Sequence, residues 1–154
     1  MTNKIYRCYI FSEEQEYFLR SKKYKIDRLE CFMSLAERTA VQDVHIDITD
    51  HRQVELSKGQ LLITDVELSH LWKVDRKTVS KLIRQMEDLK ILSSTKVAEM
   101  TVYSLHDLSG WYIDGIFHRN DFYIKLDKPW ESEPPIVIPE IRVIKKTQNS
   151  SNPP

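Results

Sequence analysis

The hydrophobic pattern of the chain is most regular between residues 61 and 105. Apolar residues first recur every three or four positions in two runs, and these runs are followed by two short segments, ILSSTK and MTVYSL, separated by VAE. A period near 3.6 indicates an amphipathic helix, and two short segments of this kind on either side of a tip indicate the strands of a hairpin. The segment therefore predicts a helix, a tight turn, a second helix and a β-hairpin.

Both predicted helices begin at clear capping signals. Thr64 with Glu67 three residues later forms a capping box, and Ile63 before the cap can contact Leu68. Asp75 is the expected N-cap of the second helix. Two caps this close together bracket a short first helix, so the two helices form a pair. Followed by a hairpin, this pair has the element order of a winged helix-turn-helix.

The second predicted helix separates apolar and basic residues onto opposite sides, at about 100° per residue. The apolar side comprises Val79, Leu82, Ile83 and Met86, and the basic side comprises Lys77, Lys81 and Arg84. Because the apolar side must face the core, the basic side must face solvent.

Positive charge is concentrated on this helix. The whole chain carries 23 basic and 23 acidic residues, which argues against a surface coated with basic groups for nonspecific DNA binding. From Lys73 to Arg84, however, five basic residues stand against one acid, a local net charge of +4. Phosphate attraction depends on such a local field. Asp88 would repel phosphate, so contact is expected to stop near Arg84, with Asp88 in solvent or paired with Arg84.

A helix-turn-helix places its second helix in the DNA major groove, where residues near the helix start reach base edges. The candidate base contacts are Arg76, Lys77, Thr78, Ser80 and Lys81. The candidate phosphate contacts are Lys73, Arg84 and Lys96. Lys96 is expected near the hairpin tip, and because the hairpin is short and also carries Glu99, its contribution to binding is expected to be modest.

The flanking segments predict an α+β fold with additions to the winged helix-turn-helix. Residues 1–24 include a strand-like run, IYRCYIF, and are expected to form an N-terminal strand or arm. Residues 25–107 form the main domain, with an amphipathic helix near 26–38 and an additional hairpin from VHIDIT and QVEL. Asp114-Gly115 predicts a tight turn in a C-terminal β-hairpin extension, residues 108–128, to which FYIKLD adds a third strand. Residues 129–154 form a proline-containing tail with a disordered end.

The sequence has few features of an enzyme. There are only three glycines, and no glycine-rich phosphate loop, zinc motif or paired-carboxylate signature is present. Neither enzymatic activity nor a cofactor or metal is therefore expected.

Cys8 and Cys31 are expected to be reduced, buried thiols, and Trp72 and Trp111 are expected in the core. Without an apolar run of membrane-spanning length, a cytoplasmic location is the default expectation.

The segment ELSHLWKVDRKTVSKLI resembles the bacterial helix-turn-helix pattern. Leu68, Val74, Thr78 and Val79 match it directly, whereas Ser69 stands in place of alanine and Lys73 in place of the turn glycine. With LSKGQLLITDVELSHLW, the region from about residue 56 to 105 resembles the winged-helix domain of DnaD-like and phage replication-initiation proteins. That resemblance implies a winged-helix fold that binds DNA or mediates self-association.

Two functions are consistent with these features. The first is binding of double-stranded DNA in transcriptional regulation or replication initiation, with a homodimer and replication or transcription proteins as further candidate partners and no membrane. The second is a protein–protein interaction or assembly module without direct DNA binding, which the neutral net charge favours.

Overall fold

The computed structural model describes residues 4–22, 25–124 and 140–145. Within these ranges the chain forms helices and small antiparallel sheets, so the predicted α+β class is confirmed. The helices are α1 (Glu13–Arg20), α2 (Arg28–Ala36), α3 (Asp65–Trp72) and α4 (Arg76–Asp88). The strands are β1 (Ile5–Tyr9), β2 (Val44–Asp47), β3 (Arg52–Leu56), β4 (Gln60–Ile63), β5 (Leu92–Val97), β6 (Met100–Leu105), β7 (Leu108–Ile113), β8 (Ile116–Arg119) and β9 (Val143–Lys145).

The main core lies between the helices and two of the sheets. Its largest fully buried side chains include Phe32 of α2, Met86 of α4, Tyr103 of β6 and Trp111 of β7. Trp72, at the end of α3, packs against this cluster, and its indole Nε1 donates a hydrogen bond to the Ser34 hydroxyl at 2.7 Å. Trp111 is therefore in the core as predicted, whereas Trp72 is half-buried at the edge of the core.

The cysteines form no disulfide. Cys31 is buried in α2 as predicted, whereas Cys8 on β1 is half-buried, so the prediction of a buried thiol is wrong for Cys8. Burial raises the pKa of the Cys31 thiol to about 11, so this thiol is neutral at physiological pH.

The hairpin that follows α4 belongs to a sheet with the strand order β4-β6-β5. β5 and β6 form the predicted hairpin, and β4, directly before α3, pairs with β6. The predicted additional hairpin is also present, because β2 pairs with β3, and β9 adds to the other edge of β3. A second apolar cluster, formed by Val54, Leu56, Val97 and Val102, joins these two sheets.

The third sheet joins segments far apart in sequence. β7 and β8 form a hairpin around Asp114 and Gly115, whose φ angles of 51° and 85° are those expected of the predicted turn. The third strand is β1, paired with β7. In the segment FYIKLD, predicted as the third strand, residues 122–124 are not in a strand and residues 125–127 lie outside the described residues. β1 from the predicted arm, 1–24, thus shares one sheet with β7 and β8 from the predicted extension, 108–128. Apart from residues 140–145, the tail predicted at 129–154 lies outside the described residues, as does its predicted disordered end.

A buried asparagine ties the corner between β6 and β7 to the chain that follows β8. The Asn120 Nδ2 donates to the carbonyls of Leu105 and Leu108, at 2.8 and 2.7 Å, and its Oδ1 accepts from the Phe122 N–H at 3.0 Å. Gly59 lies against this side chain with a φ of 93°, and a Cβ at this position would be 1.8 Å from the Asn120 Oδ1. Only glycine fits there, because both the space and the backbone conformation exclude a side chain.

We expect the substitution Asn120→Ala to lower the free energy of unfolding by about 2 to 4 kcal/mol, since it leaves three buried backbone groups without partners. Urea denaturation followed by circular dichroism measures this change. Thr95→Ala on the exposed part of β5 is the control, with an expected effect within about 0.5 kcal/mol. An equally small effect of Asn120→Ala would contradict the structural role assigned to this residue.

A buried histidine links the same corner to β5. The His106 side chain is 2% exposed, with its Nδ1 2.8 Å from the Phe122 carbonyl and its Nε2 2.7 Å from the Ser93 hydroxyl. In this geometry the neutral ring donates from Nδ1 and accepts at Nε2. Burial lowers the pKa of His106, and the hydrogen bond to the Phe122 carbonyl opposes this effect in part.

Because the folded protein holds His106 with a lowered pKa, the unfolded chain binds the proton more readily. The stability contributed by the neutral ring is full above about pH 6.5, the unfolded pKa, and is lost as the pH falls towards the folded pKa. We therefore expect the free energy of unfolding to decline across this range. His106→Gln should remove this part of the dependence of the free energy of unfolding on pH. If the free energy of unfolding changed with pH equally in the parent protein and in His106→Gln, the role assigned to His106 would be contradicted.

Candidate nucleic-acid interface

The two helix starts that orient the candidate surface are capped as predicted. The Thr64 hydroxyl accepts from the Glu67 N–H at 3.0 Å, and the Glu67 carboxylate accepts from the Thr64 N–H at 3.3 Å. At the start of α4, the Asp75 carboxylate accepts from the Thr78 N–H at 2.7 Å. Hydrogen bonding to Thr78 lowers the pKa of Asp75, so the cap is ionised at neutral pH.

α4 has the two faces predicted from its sequence. The apolar residues Val79, Leu82, Ile83 and Met86 are all less than 9% exposed. On α4, the predicted site residues Arg76, Lys77, Ser80, Lys81 and Arg84 are exposed, and Thr78 is half-buried. The basic side chains of this helix therefore form a continuous solvent-facing stripe, which we call the α4 stripe and define as Arg76, Lys77, Lys81 and Arg84.

The charges of the α4 stripe are not neutralised by ion pairs with the described part of the chain. The helix has no acid before Glu87 and Asp88, at its C-terminal end. Asp88 is exposed and forms no ion pair with Arg84 among the described residues, so of the two expected arrangements the structure has Asp88 in solvent. The stripe is thus cationic along the first two and a half turns of α4.

The β5–β6 hairpin has a shorter tip than the sequence suggests. Val97 pairs with Met100, so the turn consists only of Ala98 and Glu99. Lys96 consequently lies within β5. Its Nζ is 3.4 Å from a carboxylate oxygen of Asp65, in the first turn of α3.

Lys96 connects the hairpin with both helices. An open cleft between the start of α3, the start of α4 and the hairpin tip is lined by Arg76 and Lys96. A second cleft, between α4 and the hairpin, is lined by Ser80, Arg84 and Lys96. The structure therefore brings these four predicted residues together, while Lys77 and Lys81 lie on the open face of α4 and Lys73 lies in the turn before it.

Acidic residues also line these clefts, and only Glu99 among them is expected there from the sequence. Asp65 lines both clefts, Glu87 lines the second and Glu99 the first. Burial and the Asp65 carboxylate also raise the pKa of Tyr103, in the second cleft, to about 12. Asp65 also suits the helix dipole in the first turn of α3, but its contact with Lys96 depends on tertiary packing.

The turn between the two helices contains a strained residue. Lys73, which occupies the place of the usual glycine, has φ 57° and ψ 43°, in the left-handed region. Its N–H and that of Val74 both donate to the Ser69 carbonyl, and the Ser69 hydroxyl donates to the Val74 carbonyl. These bonds hold a conformation that costs a residue with a Cβ about 1 kcal/mol.

We expect Lys73→Gly to raise the free energy of unfolding by about 0.5 kcal/mol, because relief of the left-handed strain exceeds the added entropy of the unfolded chain. Thermal and urea denaturation measure this difference. Lys73→Ala serves as the control, since it keeps the Cβ and should not be stabilising. Destabilisation by Lys73→Gly would contradict the strain assigned to this turn.

None of the helices in the described residues has the length and apolar character needed to cross a membrane. Comparisons of this chain with protein-family models, curated proteins and solved structures found no match.

Proposed function

We propose that this protein binds double-stranded DNA through a winged helix-turn-helix, with α4 in the major groove. The element order β4, α3, α4, β5, β6 and the sheet order β4-β6-β5 support this assignment. The short turn between α3 and α4 and the two capped helix starts support it as well. In this arrangement the β5–β6 hairpin is the wing.

The α4 stripe is the observation that carries the proposal. Its four cations are exposed, lie on the second helix of a capped pair and form no ion pair with the described residues. Such a surface favours release of counterions from duplex DNA, which is the main source of affinity for phosphate. The buried opposite face of α4 prevents the helix from rotating the stripe away from a ligand.

The residues divide between two roles in this proposal. Those near the start of α4 would reach base edges, namely Arg76, Lys77, Thr78, Ser80 and Lys81. Those around them would contact phosphates, namely Lys73, Arg84 and Lys96. Lys96 would have to exchange the Asp65 carboxylate for a phosphate, which fits a modest contribution of the wing.

The cellular process is a further part of the proposal. Transcriptional regulation and replication initiation both use duplex recognition by such a domain, and the proposal includes both. Replication or transcription proteins are the corresponding candidate partners, and the location would be cytoplasmic. No catalytic role is proposed.

An assembly module without DNA binding is the second candidate. The specific observation that favours it is a set of exposed apolar residues on the β1–β7–β8 sheet, together with the neutral net charge of the chain. This surface is separate from the α4 stripe, so the two functions can be tested independently.

We expect the double substitution Lys77→Glu/Lys81→Glu to abolish retention of the protein on random-sequence duplex DNA, since it reverses two charges in the middle of the α4 stripe. For the unmodified chain, log K should fall with log salt at a slope of roughly −4 to −5 if about five phosphates are neutralised. Fluorescence anisotropy of a labelled duplex at several salt concentrations measures both quantities.

The matched control is Lys4→Glu/Lys25→Glu, which makes the same change in net charge at exposed lysines outside the α4 stripe. This variant should retain most of the affinity, and both variants should keep the circular dichroism spectrum and melting temperature of the parent. Equal retention of the Lys77→Glu/Lys81→Glu protein and its parent would reject direct DNA binding by α4.

A further inference from the structure

An exposed row of aromatic rings crosses the β1–β7–β8 sheet. Tyr6 pairs with Tyr112, and Tyr112 pairs with Phe117, so the three side chains lie side by side on one face. They are 60%, 45% and 45% exposed, and the Tyr112 and Phe117 ring centroids are 5.0 Å apart. Contiguous exposed apolar groups of this kind mark an interaction surface.

β8 is the open edge of this sheet. In the described part of the chain, β7 is its sole partner strand, and Ile116, Phe117 and His118 are all exposed. The Asn120 N–H donates to the Ser109 carbonyl, so the even-numbered residues of β8 direct their backbone groups towards β7. The N–H and carbonyl of Phe117 therefore point away from β7, towards whatever pairs with this edge.

The opposite edge, at β1, is less accessible. Tyr9 packs edge-on against Phe32 of α2, with ring centroids 5.8 Å apart. The Arg7 guanidinium reaches the Glu37 carbonyl at 3.5 Å, just beyond the end of α2. β8 lacks comparable cover in the described residues, and it contains no proline or inward-facing charge to discourage pairing.

We propose that a second copy of this chain pairs with β8 in antiparallel fashion, about a two-fold axis at Phe117. The two three-stranded sheets then form one continuous six-stranded sheet. Because Phe117 lies opposite the partner's Phe117, the aromatic row continues from Tyr6 of one copy to Tyr6 of the other. Residues that face each other across the axis are identical, which is the property of an isologous dimer interface.

The charges at the two ends of β8 fit the same register. Asp114 lies just before the strand and Arg119 at its end. A two-fold axis at Phe117 puts Arg119 opposite the partner's Gly115, one residue from the partner's Asp114. Within one copy the Asp114 Oδ1 accepts from the Lys4 N–H at 3.4 Å and Arg119 lies over the Tyr123 ring, so the contact uses the second carboxylate oxygen of Asp114 and moves Arg119 off that ring. Each copy then contributes one acid and one base to two equivalent contacts. A nucleic acid or an unrelated apolar peptide would use only one of these groups, so self-pairing is the arrangement that the edge fits best.

The proposed contact uses none of the eight candidate DNA-binding residues, since none of them lies on β1, β7 or β8. It therefore does not depend on the proposed function. A dimer of this kind would present two α4 stripes, one from each copy.

Sedimentation equilibrium of the full chain over about 1 to 200 µM tests the proposal. A four-residue strand pair with its rings is a small interface, so we expect a monomer–dimer equilibrium with a Kd on the order of micromolar. Phe117→Arg should raise this Kd by about tenfold or more, because it places two cations on the axis. Tyr17→Arg is the matched control, since Tyr17 is an aromatic residue on α1 with 77% exposure, and it should leave the Kd unchanged.

Two further variants keep the test independent of any effect of Phe117→Arg on folding. Arg119→Glu leaves the rings in place and should also weaken the dimer, because it puts an acid beside the partner's Asp114. Phe117→Cys in a Cys8→Ser background should form a covalent dimer on mild oxidation, since paired residues at the axis have Cα atoms about 5.5 Å apart. Tyr17→Cys in the same background should not.

A monomer at all concentrations, or a dimer whose Kd is unchanged by both Phe117→Arg and Arg119→Glu, would overturn the proposal. The duplex-binding assay remains a separate readout, because loss of self-association leaves the α4 stripe intact. Failure of one proposal therefore does not imply failure of the other.

Discussion

Burial of the apolar face of α4 is the constraint on which the rest of the candidate surface depends. Val79 and Met86 are almost fully buried, and Leu82 and Ile83 are less than a tenth exposed. Burying four such side chains contributes at most about 6 to 12 kcal/mol, which is comparable with the whole net free energy of unfolding of a typical domain, about 5 to 15 kcal/mol. With that face committed to the core, the rotation of the helix is determined, and the α4 stripe faces solvent without any further interaction.

The capping residues between the two helices determine where α3 ends and where α4 begins. Asp75 prevents α3 and α4 from forming one long helix, because its backbone is extended and its carboxylate accepts a hydrogen bond from the Thr78 N–H. Lys73 adds the left-handed residue that redirects the chain between them. The strain at Lys73 coincides with a basic side chain beside the α4 stripe, so a position with a structural preference for glycine carries a charge instead.

A set of buried polar contacts holds together the parts of the fold that hydrophobic burial alone leaves free to slide. Asn120 and His106 join the β6–β7 corner, β5 and the chain after β8, and Gly59 leaves the space that Asn120 occupies. Buried groups of this type are fully bonded in one arrangement and poorly bonded in any other. They therefore determine the position of the β1–β7–β8 sheet, with its exposed aromatic row, relative to α4 and the elements packed around it.

The chain's local patterns determined the caps at Thr64 and Asp75, the two faces of α4, both hairpins around the helix pair and the tight turn at Asp114, because each depends on residues within a few positions of one another. The tertiary structure alone decided that β1 pairs with β7, that β9 pairs with β3 and that Lys96 contacts Asp65. Those contacts link residues about 30 to 110 positions apart. Such pairings are set by the packing of whole elements, which no local periodicity records.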